Sequence, residues 1–248
     1  MSRSSAIAAN ALGGAHVVVC GGTSGIGLAL ARGFAAGGYS VIATGSSTMK
    51  ISAIAREPAV GLDFALLDVR DRGAPAAFFA GLSRLDVLVN CQGIARPEAE
   101  WANETFDEVV DVNLASVQRM SLAAMPLLRN SKGAIVNVAS MLSYLADASV
   151  PAYTASKTGI VGLTRALAHR FGPDGVRVNA VAPGYHLTEM TKPLWSNPES
   201  EAAIAARSAL KRWGTAEDLV GPVMFLASAQ AAFVTGAILP VDGGYHSG

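Results

Sequence analysis

The chain's pattern predicts an α/β fold: a doubly wound parallel sheet of about seven strands with helices on both faces. Short β-rich runs alternate with longer helical stretches from one end to the other. The β-rich runs are apolar at odd and even positions alike, as strands covered on both faces must be. The 248 residues are 51% hydrophobic and only 15% charged, ample for the core of one large domain. Repeated strand–helix–strand units in one sheet imply right-handed crossovers.

The strands are read, in order, from "AHVVVCGG", "YSVIATG", "LDFALLDV", "LDVLVNC", "GAIVNVAS", "VRVNAVAPG" and "ILPVDGG". Helices are expected between them, over Gly25–Gly38 and over Asn103–Arg129, the latter opening with Glu104, Thr105 and Asp107. Residues 188–214, "TEMTKPLWSNPESEAAIAARSALKRWG", interrupt the rhythm with Pro193, Pro198, Trp195 and an amphipathic stretch. A long insert of this kind in a compact domain is expected to be a substrate loop or lid. With no repeat, low-complexity tract or linker, residues 1–248 read as a single domain.

The bulk numbers exclude several classes. A formal net charge of +0 with scattered basic residues argues against a nucleic-acid binder. The opening "MSRSSAIAANALGG" lacks a signal-peptide core, and no apolar run is long enough for a bilayer, so no membrane association is expected. Cys20 and Cys91 have no staple or zinc spacing, and no acidic cluster has metal-ligand spacing, so a reduced, cytoplasmic, metal-independent protein is expected. So few charges predict subunit interfaces covering part of the apolar surface.

Two motifs carry chemistry. "VVVCGGTSGIG" follows the first strand and opens a helix, the place where a Rossmann-type sheet cradles a pyrophosphate. Gly21, Gly25 and Gly27 are expected to turn the chain, admit the phosphates and pack the helix on the sheet. Thr23, Ser24 and Ile26 complete the turn at the helix N-terminus. "YTASK" places Tyr153 and Lys157 on one helix face, where a cation lowers a phenol's pKa. Ser140 ends the strand "GAIVNVAS", thirteen residues earlier, at the ligand-binding edge of the sheet. A hydroxyl there can donate to an oxygen developing charge. His16, His169, His186 and His246 form no triad, although His186 borders the expected active-site loop.

With these motifs in this order, the sequence resembles the short-chain dehydrogenase/reductase family along essentially its whole length. "NCQG" at 90–93, Asn113 in "DVNL", Ser140, "YTASK" and "PGYHLT" carry the resemblance. Two departures stand out: Cys20 replaces a usual Thr, and Cys91 and Gln92 replace two alanines. The resemblance implies that Tyr153 exchanges a proton with the substrate oxygen while Ser140 polarises it. It implies further that Lys157 lowers the tyrosine pKa and holds the nicotinamide ribose, and that Asn113 sustains a water relay to Lys157. Asp68 would meet adenine, Asn90 and Gly93 the nicotinamide side and Thr188 the carboxamide, with Val69, Pro183, Gly184 and His186 also expected to contact the cofactor. A homotetramer is the family's usual assembly.

The second-strand end, Gly45, Ser46 and Ser47, offers no acid to repel a 2′-phosphate. It therefore favours NADP(H) over NAD(H) as the NAD(P)(H) cofactor. "VASMLSYLADASVPAYTASKTGIVGLTRALA" and "LKRWGTAEDLVGPVMFLAS" are similar to the family's sugar-acid dehydrogenases acting on 2-keto-3-deoxygluconate and related deoxygluconates. "GIAR" with "PGYHLTEMT" is similar to polyol dehydrogenases such as galactitol dehydrogenase. Arg96 and Lys192 are candidate cations for a substrate carboxylate. Met141, Leu142, Tyr144, Tyr185, Met190 and Trp195 can instead line an apolar pocket for a bulkier ketone or 3-oxoacyl group. An inert cofactor-binding regulator is the other alternative, against which the intact Tyr153 and Lys157 stand.

Overall fold

The computed structural model describes residues 14–56 and 59–248, so the N-terminal stretch through residue 13 lies outside it. All seven expected strands form: β1 His16–Cys20, β2 Ser40–Gly45, β3 Leu62–Leu66, β4 Val87–Asn90, β5 Ala134–Val138, β6 Arg177–Pro183 and β7 Ile238–Val241. They make one parallel sheet in the order β3-β2-β1-β4-β5-β6-β7. The order reverses beside β1, whose neighbours are β2 and β4. That switch point opens a crevice beyond the strands' carboxyl ends, where such sheets bind ligands.

Side chains alternate between the two faces of each strand. Val17, Val19, Val87 and Val89 join one core, packed by Leu30 and Phe34 of α1 (Gly25–Ala36) and Leu226 of α9 (Val220–Ala227). Val18, Cys20, Leu88 and Ile135 join the opposite core. There they meet Met120 and Leu128 of α5 (Ser116–Ser131), Phe171 of α6 (Pro151–Phe171) and Phe79 of α3 (Ala74–Ala80). Only the central strands are sealed on both faces. β3 exposes Asp63 and Leu66, and β7 is half-buried throughout, because each lies at a sheet edge and has one neighbour.

Helix boundaries depart from the expectation in two places. α1 stops at Ala36, where Gly37 and then Gly38, at φ +85°, turn the chain into β2. The single helix expected over Asn103–Arg129 is α4 (Asn103–Val110), a π-helical turn at Asp111–Ala115, and then α5. The wider turn carries Asn113, which hydrogen-bonds both backbone groups of Ile94 after β4. Residues 188–214 contain α7 (Lys192–Trp195) and α8 (Pro198–Arg207), the latter capped by Asn197. The short α2 (Thr48–Ile54) follows β2.

Candidate active site

A cleft of about 400 Å³ runs along the switch point from the glycine turn to Tyr153 and Lys157. Gly21, Thr23, Ser24, Gly25, Ile26 and Gly27 form one wall. Gly45, Ser46 and Ser47 stand beyond them, with Asp68 and Val69 further out. Gly93, Arg96, Thr188 and Met190 complete the predicted lining.

The backbone dictates the turn. Gly21 has φ +73°, and a Cβ there would lie 2.7 Å from the amide nitrogen of Gln92. The positive φ and the close β4 loop together require glycine. Gly27 was expected to pack α1 on the sheet, but a Cβ there would strike the carbonyl oxygen of Gly21. It is glycine because the helix folds tightly onto its own preceding turn. Ser24 at the N-cap gives α1 no side-chain cap, so its first amides remain available to an anion. Free first-turn amides, a glycine cradle and a continuous cleft fit a dinucleotide.

At the other end, Tyr153 and Lys157 share a face of α6, with Nζ 5.6 Å from the ring centroid. The ammonium donates to the Val138 carbonyl at 2.7 Å. Burial holds Lys157 down at about 8. It also pushes the Tyr153 phenol up to about 12, with the Ser140 hydroxyl pulling it the other way. The expected lowering of the phenol by Lys157 is therefore not seen: desolvation disfavours the phenolate more than its neighbours favour it. Ser140 sits in extended backbone after β5, buried, and its Oγ accepts from the Leu142 amide at 3.1 Å. Met141 and Leu142 are buried beside it, against Val150, Tyr153, Tyr185 and Tyr245. They form a floor under the tyrosine rather than an open wall.

Several expected ligands are turned to structural work. Asn90 points into the core and donates to Asn137 Oδ1 at 2.9 Å, because the strand's alternation faces it away from the cleft. Asn113 is buried, with its oxygen taken by the Ile94 amide and its nitrogen by the Ile94 carbonyl and Ser156. It flanks Gly93 together with Lys157 but does not bond Lys157. His186 is buried, its Nδ1 beside the Gly184 carbonyl at 3.1 Å and its ring over Gly214, so it locks two loops together. Pro183 is buried at the end of β6, and Gly184 lets Asp242 approach. Trp195 donates to the Thr188 carbonyl at 3.0 Å and braces that loop from outside the cleft. Tyr185 packs on Trp213 and Tyr245. Lys192 lies 3.7 Å from Glu189 and is thereby matched in charge, whereas Arg96 lines the cleft.

The structure adds residues that the motifs do not mark. Arg70 and Val112 line the nucleotide end, beside Lys50, the cation expected one turn beyond Ser47, and Gln92 of the "NCQG" run; Arg70 is clamped by Asp68 at 2.7 Å. Asp68, expected to meet adenine, thus already has a partner. Tyr245 reaches the Tyr153 neighbourhood from the C-terminal tail beyond β7, and Arg207 lies 4.4 Å from its ring centre. The two cysteines both remain free thiols. The Cys91 amide donates to the Cys20 carbonyl at 3.0 Å, yet Cys20 joins one core and Cys91 packs against the other. A one-residue offset between neighbouring strands sends the side chains to opposite faces, which disfavours a redox bridge.

No helix among the described residues is long and apolar enough to cross a membrane. None of their His, Cys, Asp and Glu side chains groups in threes suited to a metal.

Comparison with known proteins agrees with this architecture. A family model described as enoyl-(acyl carrier protein) reductase matches residues 21–246. The chain is 36% identical over 249 residues to 2-dehydro-3-deoxy-D-gluconate 5-dehydrogenase of Escherichia coli, covering 96% of this chain and 98% of the relative. It is 36% identical to gluconate 5-dehydrogenase of Gluconobacter oxydans, covering 94% and 95%. A gluconate 5-dehydrogenase of Burkholderia cenocepacia, solved in complex with NADP and tartrate, superposes with a TM-score of 0.88 at 30% identity. That superposition covers 97% of this chain and 98% of the other. The chain belongs to the short-chain dehydrogenase/reductase family of NAD(P)-dependent oxidoreductases.

Proposed function

We propose that the protein interconverts a secondary alcohol and a ketone on a sugar acid, with NADP(H) as cofactor and Tyr153 as the proton-exchanging group. The observation that carries this reading is the single cleft joining the glycine turn to Tyr153 and Lys157. The sugar-acid assignment is supported by the names of the relatives and by Arg96 at the cleft, which makes no ion pair among the described residues. The apolar-ketone reading loses support because Met141 and Leu142 lie buried in the floor.

When bound, the cofactor supplies the hydride donor or acceptor. The α1 amides and Gly21–Gly27 would hold its phosphates, and Ser46, Ser47 and Lys50 the 2′ end of its adenosine ribose. The absence of an acid there, together with the NADP held by the Burkholderia relative, supports NADP(H). Ser140 Oγ orients the substrate oxygen; the Tyr153 phenolate takes that oxygen's proton in oxidation, and the Tyr153 phenol gives one back in reduction. Oxidation needs the phenolate, so its rate rises with pH, while reduction needs the phenol and falls. Residues 188–214 serve as the substrate loop of a single domain, with Thr188 and Met190 facing the cleft.

A panel of D-gluconate, 2-dehydro-3-deoxy-D-gluconate, D-galactose and cyclohexanol, read at 340 nm with each cofactor, tests the assignment. Sugar-acid turnover that Tyr153→Phe lowers by about 10³-fold, with cofactor affinity kept, is the expected result. Turnover confined to cyclohexanol, or a fully active Tyr153→Phe, refutes it. Exposed Phe106 on α4 and Leu122 on α5 support pairing of these helices in a homotetramer, which light scattering checks against a monomer mass.

A further inference from the structure

Glu100 is fully buried, on a short 3₁₀ turn at Ala99–Trp101 in the loop after β4. No ion pair among the described residues includes it. Its partners are two backbone amides: Oε1 accepts from Arg96 at 2.8 Å, and Oε2 from Tyr153, also at 2.8 Å. Burying an unpaired carboxylate is costly, and a neutral acceptor would tie a loop at less cost.

The second partner explains the charge. α6 begins at Pro151, so Tyr153 is its third residue, and its amide is one that the helix itself leaves without a partner. Val150 at the N-cap has no side chain that can serve it. Glu100 supplies that cap from fifty-three residues away. Its negative charge also opposes the positive end of the helix at the residue that carries the phenol. Two further bonds sew the same segments together: Glu98 N to the Ser149 carbonyl at 2.8 Å, and Trp101 Nε1 to the Ala148 carbonyl at 3.0 Å. Only the Glu100 bonds reach both the cleft-lining Arg96 and the tyrosine itself.

We infer that Glu100 is a positioning residue for the reaction, holding Tyr153 and Arg96 in register through their amides and setting the electrostatic environment of the Tyr153 hydroxyl. The inference rests on the reading of Tyr153 as the proton-exchanging group. The titratable groups facing that hydroxyl are Cys91 at the end of β4, Lys157 on α6, Glu100, and the phenols of Tyr185 and Tyr245 in the same cluster. Among them Cys91 and, less strongly, Glu100 raise the phenol's pKa, so removing the Glu100 charge lets the phenolate form at lower pH.

Glu100→Gln tests this, using the panel substrate that the wild type oxidises fastest. A kcat about 10- to 100-fold lower is expected from misplacement of the tyrosine. The midpoint of the pH–kcat curve for oxidation moves down, and the cofactor Kd, followed by NADPH fluorescence, stays within about twofold of wild type because the cradle is untouched. A kcat within about twofold of wild type, or a midpoint that does not move, overturns the inference, since a merely structural tie leaves the midpoint alone. Should Glu100→Gln not fold, Glu100→Asp carries the test. It keeps the charge and shortens the reach, so kcat falls while the midpoint stays, and an unchanged kcat overturns the inference. Tyr153→Phe is measured alongside. If it stays active the underlying assignment fails, whereas an inactive Tyr153→Phe beside an unaffected Glu100→Gln removes only the role of Glu100.

Discussion

The nucleotide end of the cleft and its substrate end are assembled differently. At the nucleotide end, the turn Gly21–Gly27, the end of β2 at Gly45 and the loop after β3 at Asp68 place backbone against a future ligand. Nearly every residue expected there lines the cleft. At the substrate end, side chains from four distant segments meet: Met141 and Leu142, Tyr153, Tyr185, and Tyr245 near the C-terminus. Expectations were poorer there, because Trp195 braces a loop and His186 locks two of them together. A site made of backbone is set by local conformation. A site made of side chains depends on how separate segments pack.

The largest effect that could break this comparison is at the turn. Gly21→Ala places a Cβ against the Gln92 backbone in a conformation that costs a non-glycine residue about 1–3 kcal/mol. A cofactor Kd weakened about 10- to 100-fold, with the melting temperature lowered by only a few degrees, is the expected outcome of calorimetry and thermal melts. Unchanged affinity would mean that side chains, not the backbone, hold the nucleotide.

Cofactor choice sharpens the same point at lower amplitude. Gly45 is an unsuitable place for a repelling acid, since its Cβ would lie 2.6 Å from Thr23 Cγ2. Ser46 is exposed beside it and accepts a carboxylate without a clash. Ser46→Asp should shift the ratio of specificity constants towards NAD by about tenfold through repulsion of the 2′-phosphate. Gly45→Asp should weaken both cofactors. Equal ratios in wild type and Ser46→Asp would place selection elsewhere, with Lys50 the next residue to change.

The smallest effect concerns the thiols beneath the nucleotide. Burial raises Cys20 to about 12 and Cys91 to about 11, against 9.0 for a free thiol. Both folded values lie above the unfolded one, so their contribution is complete below pH 9 and is lost as pH rises through 11–12. Lys157 runs the other way: its folded value of about 8 lies below 10.5, so its contribution grows as pH rises above 8. Two thiols, joined above pH 10 by the Tyr153 and Tyr185 phenols that burial also raises to about 12, outweigh one ammonium. The melting temperature should therefore fall from pH 9 to 11 by a few degrees, and less steeply in Cys20→Ala. An identical slope in that variant would show that Cys20 is not among the groups responsible.

Legibility followed the same division. The seven strands were readable because each is a short apolar run between turn residues, and Tyr153 and Lys157 because helical spacing puts them on one face. The π turn at Asp111–Ala115 was not readable, because what widens it is the bonding of Asn113 to Ile94, nineteen residues away. Glu100 was passed over for the same reason. In sequence it is one acid in a polar loop, and nothing local shows that it is buried under α6.

By itself, then, the sequence determined what depends on neighbours along the chain: strand and helix periods, the glycine turn, and the register of Tyr153 with Lys157. The tertiary structure alone decided what depends on desolvation and long-range contact. Which asparagine faces the core, which cation keeps its charge unmatched, the upward rather than downward shift of the Tyr153 phenol, and the capping of α6 by Glu100 are all of that kind. Burial and hydrogen-bond partners are properties of the packed chain, and no run of residues carries them before it folds.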